Sequence, residues 1–190
     1  MTLTEFIGTY QKLSDEEKRI INDNTSIQKF NSKDFFLESG KKSNEIGFII
    51  DGIFRYFFYN AEGEEITAHF MAEGEFVGSV SSFFEYMPSS GSLQAVTDCE
   101  VIIISRKSWE LFCEKIPIWE VTFQKIVNEV LIKKTNFQRS LLNTDAKASY
   151  LKFLNTYPKI AQRTPLNYIA SFLGMTPFSL SRIRKAIATI

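Results

Sequence analysis

The hydrophobic rhythm of the chain changes twice. Across residues 26–105, short runs of aromatic and β-branched residues alternate with polar breaks: "IGFII", Asp51-Gly52, "IFRYFFY", the stretch from Asn60 to Gly63, "EITAHFM", and finally "CEVIIIS". Such runs predict strands, and seven of the nine glycines fall between residues 40 and 91, with none from 92 to 173. Asp51-Gly52 fits a tight type I′ hairpin, because both central residues tolerate positive φ, and the four-residue loop ending at Gly63 suits a second hairpin. Many short antiparallel strands at this spacing predict a sandwich or barrel, whose closure protects its edges.

Helical spacing brackets this region. Ser14-Asp15-Glu16-Glu17 has the capping-box pattern, in which Ser and Glu satisfy each other's backbone N–H groups. A short helix is expected from Ser108 to Glu114. Pro117 then opens the longest helical segment, residues 118–142, where a first-turn proline sacrifices no hydrogen bond. Trp119, Phe123, Ile126, Val130, Phe137 and Leu141 recur at spacings of 3, 4 and 7 and form one apolar stripe. The stripe suits packing on the sheet or on a second copy of itself; we take Trp119, Phe123, Ile126, Val130 and Phe137 as a dimerisation seam. Another helix spans Asp145 to Tyr157 and ends at Pro158. The expected class is α+β: a β-roll of jelly-roll type over residues 1–116, a long connecting helix over 117–142, and a helical domain over 143–190.

The last segment has helix-turn-helix spacing. Ala170 is small where two helices cross, Gly174 can take the left-handed conformation that ends the first helix, and Leu180 and Ile183 turn the second helix back onto the first. Ile169, Leu173 and Met175 complete the small core. Thr176 suits an N-cap and Pro177 a first turn, which leaves Phe178, Ser179, Ser181, Arg182 and Lys185 outside. Arginine can read guanine in the major groove, while Ser, Thr and Lys more often hold phosphates.

Charge strengthens that reading. The chain has no net charge, yet residues 146–190 contain no Asp or Glu and carry seven basic residues, leaving −7 on the first 145. An acid-free basic end suits a polyanion. The N-terminal stretch lacks a basic segment followed by an apolar one, and no run of 18 apolar residues exists, so no membrane partner and a cytoplasmic location are expected.

In this order the chain resembles the cyclic-AMP receptor protein/Fnr superfamily of bacterial transcription regulators. The resemblance rests on "GFIIDGIFRYFF", "EGEEITAHFMAEGEFVG", "LQAVTDCEVIIIS" and "YIASFLGMTPFSLSRIRK". It implies a homodimer joined along the long helix, a β-roll able to sense a small effector, paired recognition helices on a palindromic double-stranded operator, and contact with RNA polymerase. The DNA-facing set it implies is Asn167, Thr176, Phe178, Ser179, Ser181, Arg182 and Lys185.

The departures are chemical. In nucleotide-binding members, the cassette after the "GEFVG"-like turn carries a Glu for the ribose and an Arg–Ser pair for the cyclic phosphate. Here Ser79 stands for the Glu, and Ser89 and Ser90 for the pair, so the expected effector pocket is Gly78, Ser79, Ser89 and Ser90. No Arg or Lys occurs in residues 78–95, and a partly buried phosphate wants a bidentate cation. Cyclic AMP is therefore not expected. Two cysteines are too few for an iron–sulfur cluster. A single histidine, His69, which strand alternation makes a plain strand residue, gives no basis for haem or a catalytic metal. No cofactor is expected. Many relatives have Glu at the position of Phe178, so their operator sequences do not transfer.

Two rival functions follow from the same residues. An enzyme on a β-roll would need converging His and carboxylates, and no G-x-S-x-G, H-E-x-x-H or phosphate-binding loop is present. A small-molecule-binding or protein-interaction module that never touches DNA is the second.

Overall fold

The structure is a computed structural model that describes residues 1–188. Two helices, α1 (Leu3–Tyr10) and α2 (Asp15–Asp23), precede the sheets. Both open with capping boxes, Thr2 with Glu5 and Ser14 with Glu17. The second was legible in the sequence, whereas α1 was not anticipated.

Eight strands follow: β1 (Ser26–Phe30), β2 (Phe35–Leu37), β3 (Glu45–Asp51), β4 (Phe54–Tyr59), β5 (Glu65–Met71), β6 (Phe76–Val77), β7 (Ser92–Ala95) and β8 (Cys99–Ser105), with a short helix α3 (Val80–Glu85) between β6 and β7. They form two four-stranded sheets, in the orders β1-β8-β3-β6 and β2-β7-β4-β5, and every strand pair is antiparallel. The inner faces meet in one cluster that includes Phe30, Ile49, Phe54, Leu93 and Val101. The β-roll expected from the glycine-marked runs is present.

The two expected hairpins have different outcomes. Tyr59 pairs with Glu65 across the loop that contains Gly63, and Gly63 adopts φ +80°, so β4 and β5 form a true hairpin. Asp51-Gly52 does not join a hairpin: β3 and β4 lie in different sheets, and this turn carries the chain from one to the other. The physical reason is partner choice. β3 pairs with β8 through Glu45–Asp51, while β4 pairs with β5 and β7. Gly52 is still required, since it has φ +104° and a Cβ there would stand 2.4 Å from Cys99 Sγ and 2.6 Å from the Asp98 carbonyl oxygen.

The outer face of the first sheet carries Ile46, Phe48 and Ile104 into a second core with α1, α2, α4 (Arg106–Lys115) and the start of α5 (Trp119–Leu141). Beyond α5 come α6 (Ala146–Thr156), α7 (Pro158–Arg163), α8 (Leu166–Phe172) and α9 (Pro177–Ala188). Pro158 ends α6 as expected but also begins α7, because proline at a first helical position has no N–H to leave unbonded. Among the described residues no helix is long and apolar enough to cross a membrane.

Gly52→Ala combines a disfavoured positive φ with a backbone clash, and is expected to lower unfolding stability by ~2–4 kcal/mol. Urea titration against the wild type measures this.

Candidate functional site

The helix-turn-helix is assembled by local rules. Gly174, at φ +67°, closes α8: its N–H donates to the Ser171 carbonyl at 3.1 Å, and the Met175 N–H donates to the Ala170 carbonyl at 3.0 Å. This Schellman pair satisfies the last carbonyls of α8 and turns the chain sharply. The Thr176 hydroxyl then accepts from the Ser179 N–H at 3.1 Å and caps α9. Leu180 and Ala170 are fully buried at the crossing, with Ile169 beside them. The structure therefore brings Asn167, Thr176, Phe178, Ser179, Arg182 and Lys185 to the surface, with Ser181 half-buried. Phe178 is 73% exposed, a large apolar side chain in water at the start of the basic helix.

This unit is docked on the β-roll. Phe70 from β5 packs on Phe172 and Phe153 at ring distances of 5.2 and 6.3 Å, and Ile53 and Val96 join the same cluster. Arg163 forms ion pairs with Glu73 and Asp51. Sequence reasoning missed the most unusual contact, Arg55. This β4 residue is 1% exposed, and its guanidinium pairs with Glu65 and donates to the Gln94 amide oxygen from Nη2 at 2.7 Å. Phe57 lies on one side of it at 4.0 Å and Tyr168 of α8 at 3.7 Å. The sequence signal was a lone arginine inside the aromatic run "IFRYFFY", where a cation needs both partners and ring faces to be buried.

The stripe on α5 faces inward. Trp119, Phe123 and Ile126 are buried in their own chain: Phe123 packs on Trp109 at 4.6 Å and on Phe76 at 5.2 Å, and Trp119 on Phe112 at 4.7 Å. Phe137 is buried among the C-terminal helices, 4.9 Å from Tyr157, and Val130 is half-buried. The expectation that Trp119, Phe123, Ile126 and Phe137 meet a second copy is corrected, because sheet and helices of the same chain already cover them. What α5 leaves in water is Val121 (64% exposed), Leu131 (54%) and Ile132 (60%).

A cavity of about 170 Å³ lies between the β-roll and α5, lined by Met71, Phe76, Val77, Phe84, Val127 and Val130 among others. Of the expected effector residues, Gly78 lines it, and a Cβ there would press on Ile46 Cγ2 at 2.8 Å. The three serines are placed elsewhere and used locally. Ser79 Oγ accepts from the Ser82 N–H as the cap of α3, Ser89 Oγ donates to the Gly91 carbonyl at 2.7 Å, and Ser90 Oγ shares a 2.9 Å hydrogen bond with the Tyr56 hydroxyl. His69, expected as a plain strand residue, lines the cavity instead, together with Glu75. Burial pulls the His69 pKa down to about 4, and the charge of Lys134 adds to the effect. Burial likewise raises the Glu75 carboxyl above its usual range, against the Ala72 N–H that it accepts.

Comparison with known proteins agrees with this architecture. The family model described as "Cyclic nucleotide-binding domain" matches residues 27–115. The chain is similar to the "cAMP-activated global transcriptional regulator CRP" of Salmonella typhimurium, at 27% identity over 137 residues, 72% of this chain and 60% of that protein. The protein of the same description from Pasteurella multocida is 26% identical over 138 residues. The chain thus spans about 60% of the length of these curated relatives. Among solved structures, FixK2 from Bradyrhizobium japonicum superposes with a TM-score of 0.76 at 15% identity, covering 87% of this chain and 85% of that one. The global regulator CLP of Xanthomonas campestris, described as c-di-GMP responsive, gives 0.72 at 16% identity, covering 93% and 92%. Residues 27–115 thus match a cyclic nucleotide-binding domain, and the β-roll, the long helix packed along it and the C-terminal helix-turn-helix together have the fold of the solved regulators to which the chain is similar.

Proposed function

We propose that the chain is a homodimeric, DNA-binding transcription regulator, acting in the cytoplasm on a palindromic operator. The observation that carries this reading is the exposed face of α9, set on a Schellman turn within a segment that has seven basic and no acidic residues. A binding module without DNA is not favoured, because nothing in such a module calls for an acid-free end built as a helix-turn-helix. Arg182 is assigned to a base edge, and Ser179, Thr176, Asn167 and Lys185 to phosphates. Phe178 is suited to a thymine methyl. Arg182→Ala is expected to cost ~1–3 kcal/mol and to relax preference at one position in each half-site. Lys185→Ala should weaken all sequences about equally and reduce the salt slope by about one unit per lost phosphate contact. Selection from random duplexes followed by a salt titration checks both. No palindrome, together with unchanged affinity in Arg182→Ala, would falsify the reading.

The dimer seam is reassigned to the apolar residues that α5 leaves in water, Val121, Leu131 and Ile132, which lie ten and eleven residues apart, close to three helical turns. Leu131→Glu combined with Ile132→Glu is expected to give folded monomers in sedimentation. Ile126→Glu places a charge in the core and should unfold the β-roll rather than dissociate it.

An effector, where one acts, enters the cavity beside Gly78, and its chemistry differs from a nucleotide's. Among the lining residues the one carboxylate is Glu75 and there is no Lys or Arg, so an anion finds no lining cation to pair with. His69, neutral at pH 7, offers a hydrogen bond without charge. At about 170 Å³ the space is close to the ~150 Å³ of an apolar cavity that admits benzene. We therefore assign a neutral, one-ring ligand. Calorimetry is expected to show phenol binding, little binding of benzoate or cyclic AMP, and loss of phenol binding in Val130→Trp, which fills the space. Micromolar binding of cyclic AMP would reverse the assignment.

A further inference from the structure

The helix-turn-helix is held to the β-roll by two unlike kinds of contact. The packing of Phe70 against Phe153 and Phe172 excludes water but has no strong direction, since apolar contact depends on area rather than angle. The second kind is directional. Arg55 Nε and Nη2 both donate to the Gln94 amide oxygen, at 3.1 and 2.7 Å, and Nη2 also pairs with Glu65, so the sheet alone fixes the plane of the guanidinium. Phe57, on the same strand, covers one side. The other ring, at 3.7 Å, is Tyr168, and it comes from α8.

Beside this stack, Ser171 Oγ accepts from the Thr67 N–H at 2.9 Å and donates to the Glu65 carbonyl at 2.8 Å. β5 is the last strand of its sheet, so these are outward backbone groups that a further strand would otherwise bond. A ring against a fixed guanidinium plane resists tilting, and a hydroxyl bridging two backbone groups of one strand resists sliding.

We infer that Arg55 and Tyr168, with Ser171 beside them, form an orienting pin that sets the angle at which α9 is presented, and through it the half-site spacing that a dimer accepts. The pin is a positioning device: neither Arg55 nor Tyr168 belongs to the DNA-facing set. Its consequence for spacing rests on the regulator reading above, whereas the fixed orientation does not. The guanidinium is already paired within the sheet, so removing the Tyr168 ring leaves no unpaired charge behind and acts on orientation rather than on folding. Shifting one half-site by a base pair moves it by ~3.4 Å along the duplex, a displacement that a rigidly held pair of recognition helices cannot follow.

The test compares wild type, Tyr168→Leu, which keeps apolar bulk but no ring, and Tyr168→Phe, which keeps the ring. Residual dipolar couplings are measured on the full chain. One alignment tensor is expected to fit the β-roll and residues 146–188 together in the wild type and Tyr168→Phe, and two tensors to be needed in Tyr168→Leu. A single shared tensor in Tyr168→Leu overturns the pin. Collapse of the couplings across 146–188 also overturns it, because the ring would then be needed for folding rather than for orientation.

A second arm titrates duplexes whose half-sites are respaced by one or two base pairs. Wild type and Tyr168→Phe should lose about tenfold in affinity on respacing, and Tyr168→Leu less than about threefold, with binding to a single half-site unchanged in all three. Undiminished spacing preference in Tyr168→Leu argues against the pin. Failure of the wild type to bind any duplex counts against the regulator reading instead, and the couplings then decide the pin by themselves.

Discussion

The divided burial of one helix, α5, underlies the rest of the structure. Its first half is locked by Trp119, Phe123 and Ile126 into the core on the outer face of the first sheet. Near its end Phe137 is locked into a different core, formed with Tyr150, Phe153, Ile160 and Leu180. A 23-residue helix is a rigid rod of roughly 35 Å, so fastening it at both ends joins the β-roll to the helical domain through a fixed strut. Between the two fastened ends the side chains are smaller, Val127 and Val130, and there the cavity remains. Leu131 also lines this cavity although it is 54% exposed, and Ile132 beside it stays in water. The cavity and the exposed apolar residues thus lie close together on one element that both cores hold.

The strut alone does not fix the helix-turn-helix. The chain leaves α5 through Leu142, Asn143 and Thr144 before α6 begins, and Asn143 adopts a left-handed φ of +60°. Packing of Phe70 against Phe153 and Phe172 adds an apolar hold from the β-roll, and the Arg55–Tyr168 stack, the Ser171 bridge and the Arg163 ion pairs add directional ones. An apolar interface with a few directional contacts is what a part that must be placed accurately calls for.

The local elements were legible because their causes are local. Ser14 and Glu17 cap a helix within four residues, Gly174 and Met175 close α8 against carbonyls three and five positions before them, and Gly63 closes a hairpin whose strands adjoin in sequence. Each is set by backbone dihedrals and short-range hydrogen bonds, and each appears in the structure as the residues predict. The acid-free basic end and the exposed Arg182 and Lys185 were equally readable, since net charge and helix phase require no knowledge of distant partners.

What failed to be legible depended on which distant segment supplied the partner. Asp51-Gly52 has the composition of a hairpin, but β8, some fifty residues later, takes β3 as its neighbour and leaves β4 to the other sheet. The stripe from Trp119 to Phe137 shows that one side of α5 is buried and carries nothing about whose atoms bury it; Trp109, Phe112 and Phe76 of the same chain fill the place where a second copy was expected. Arg55, buried between a β4 ring and an α8 ring, could not be read at all, because its second partner lies more than a hundred residues away. By itself the sequence determined the elements, their caps and the charge of each end, all matters of short range. The tertiary structure alone decided sheet membership, the open face of α5 and the seating of the helix-turn-helix, because an apolar surface is satisfied by any well-shaped apolar partner and only the folded chain decides which one arrives.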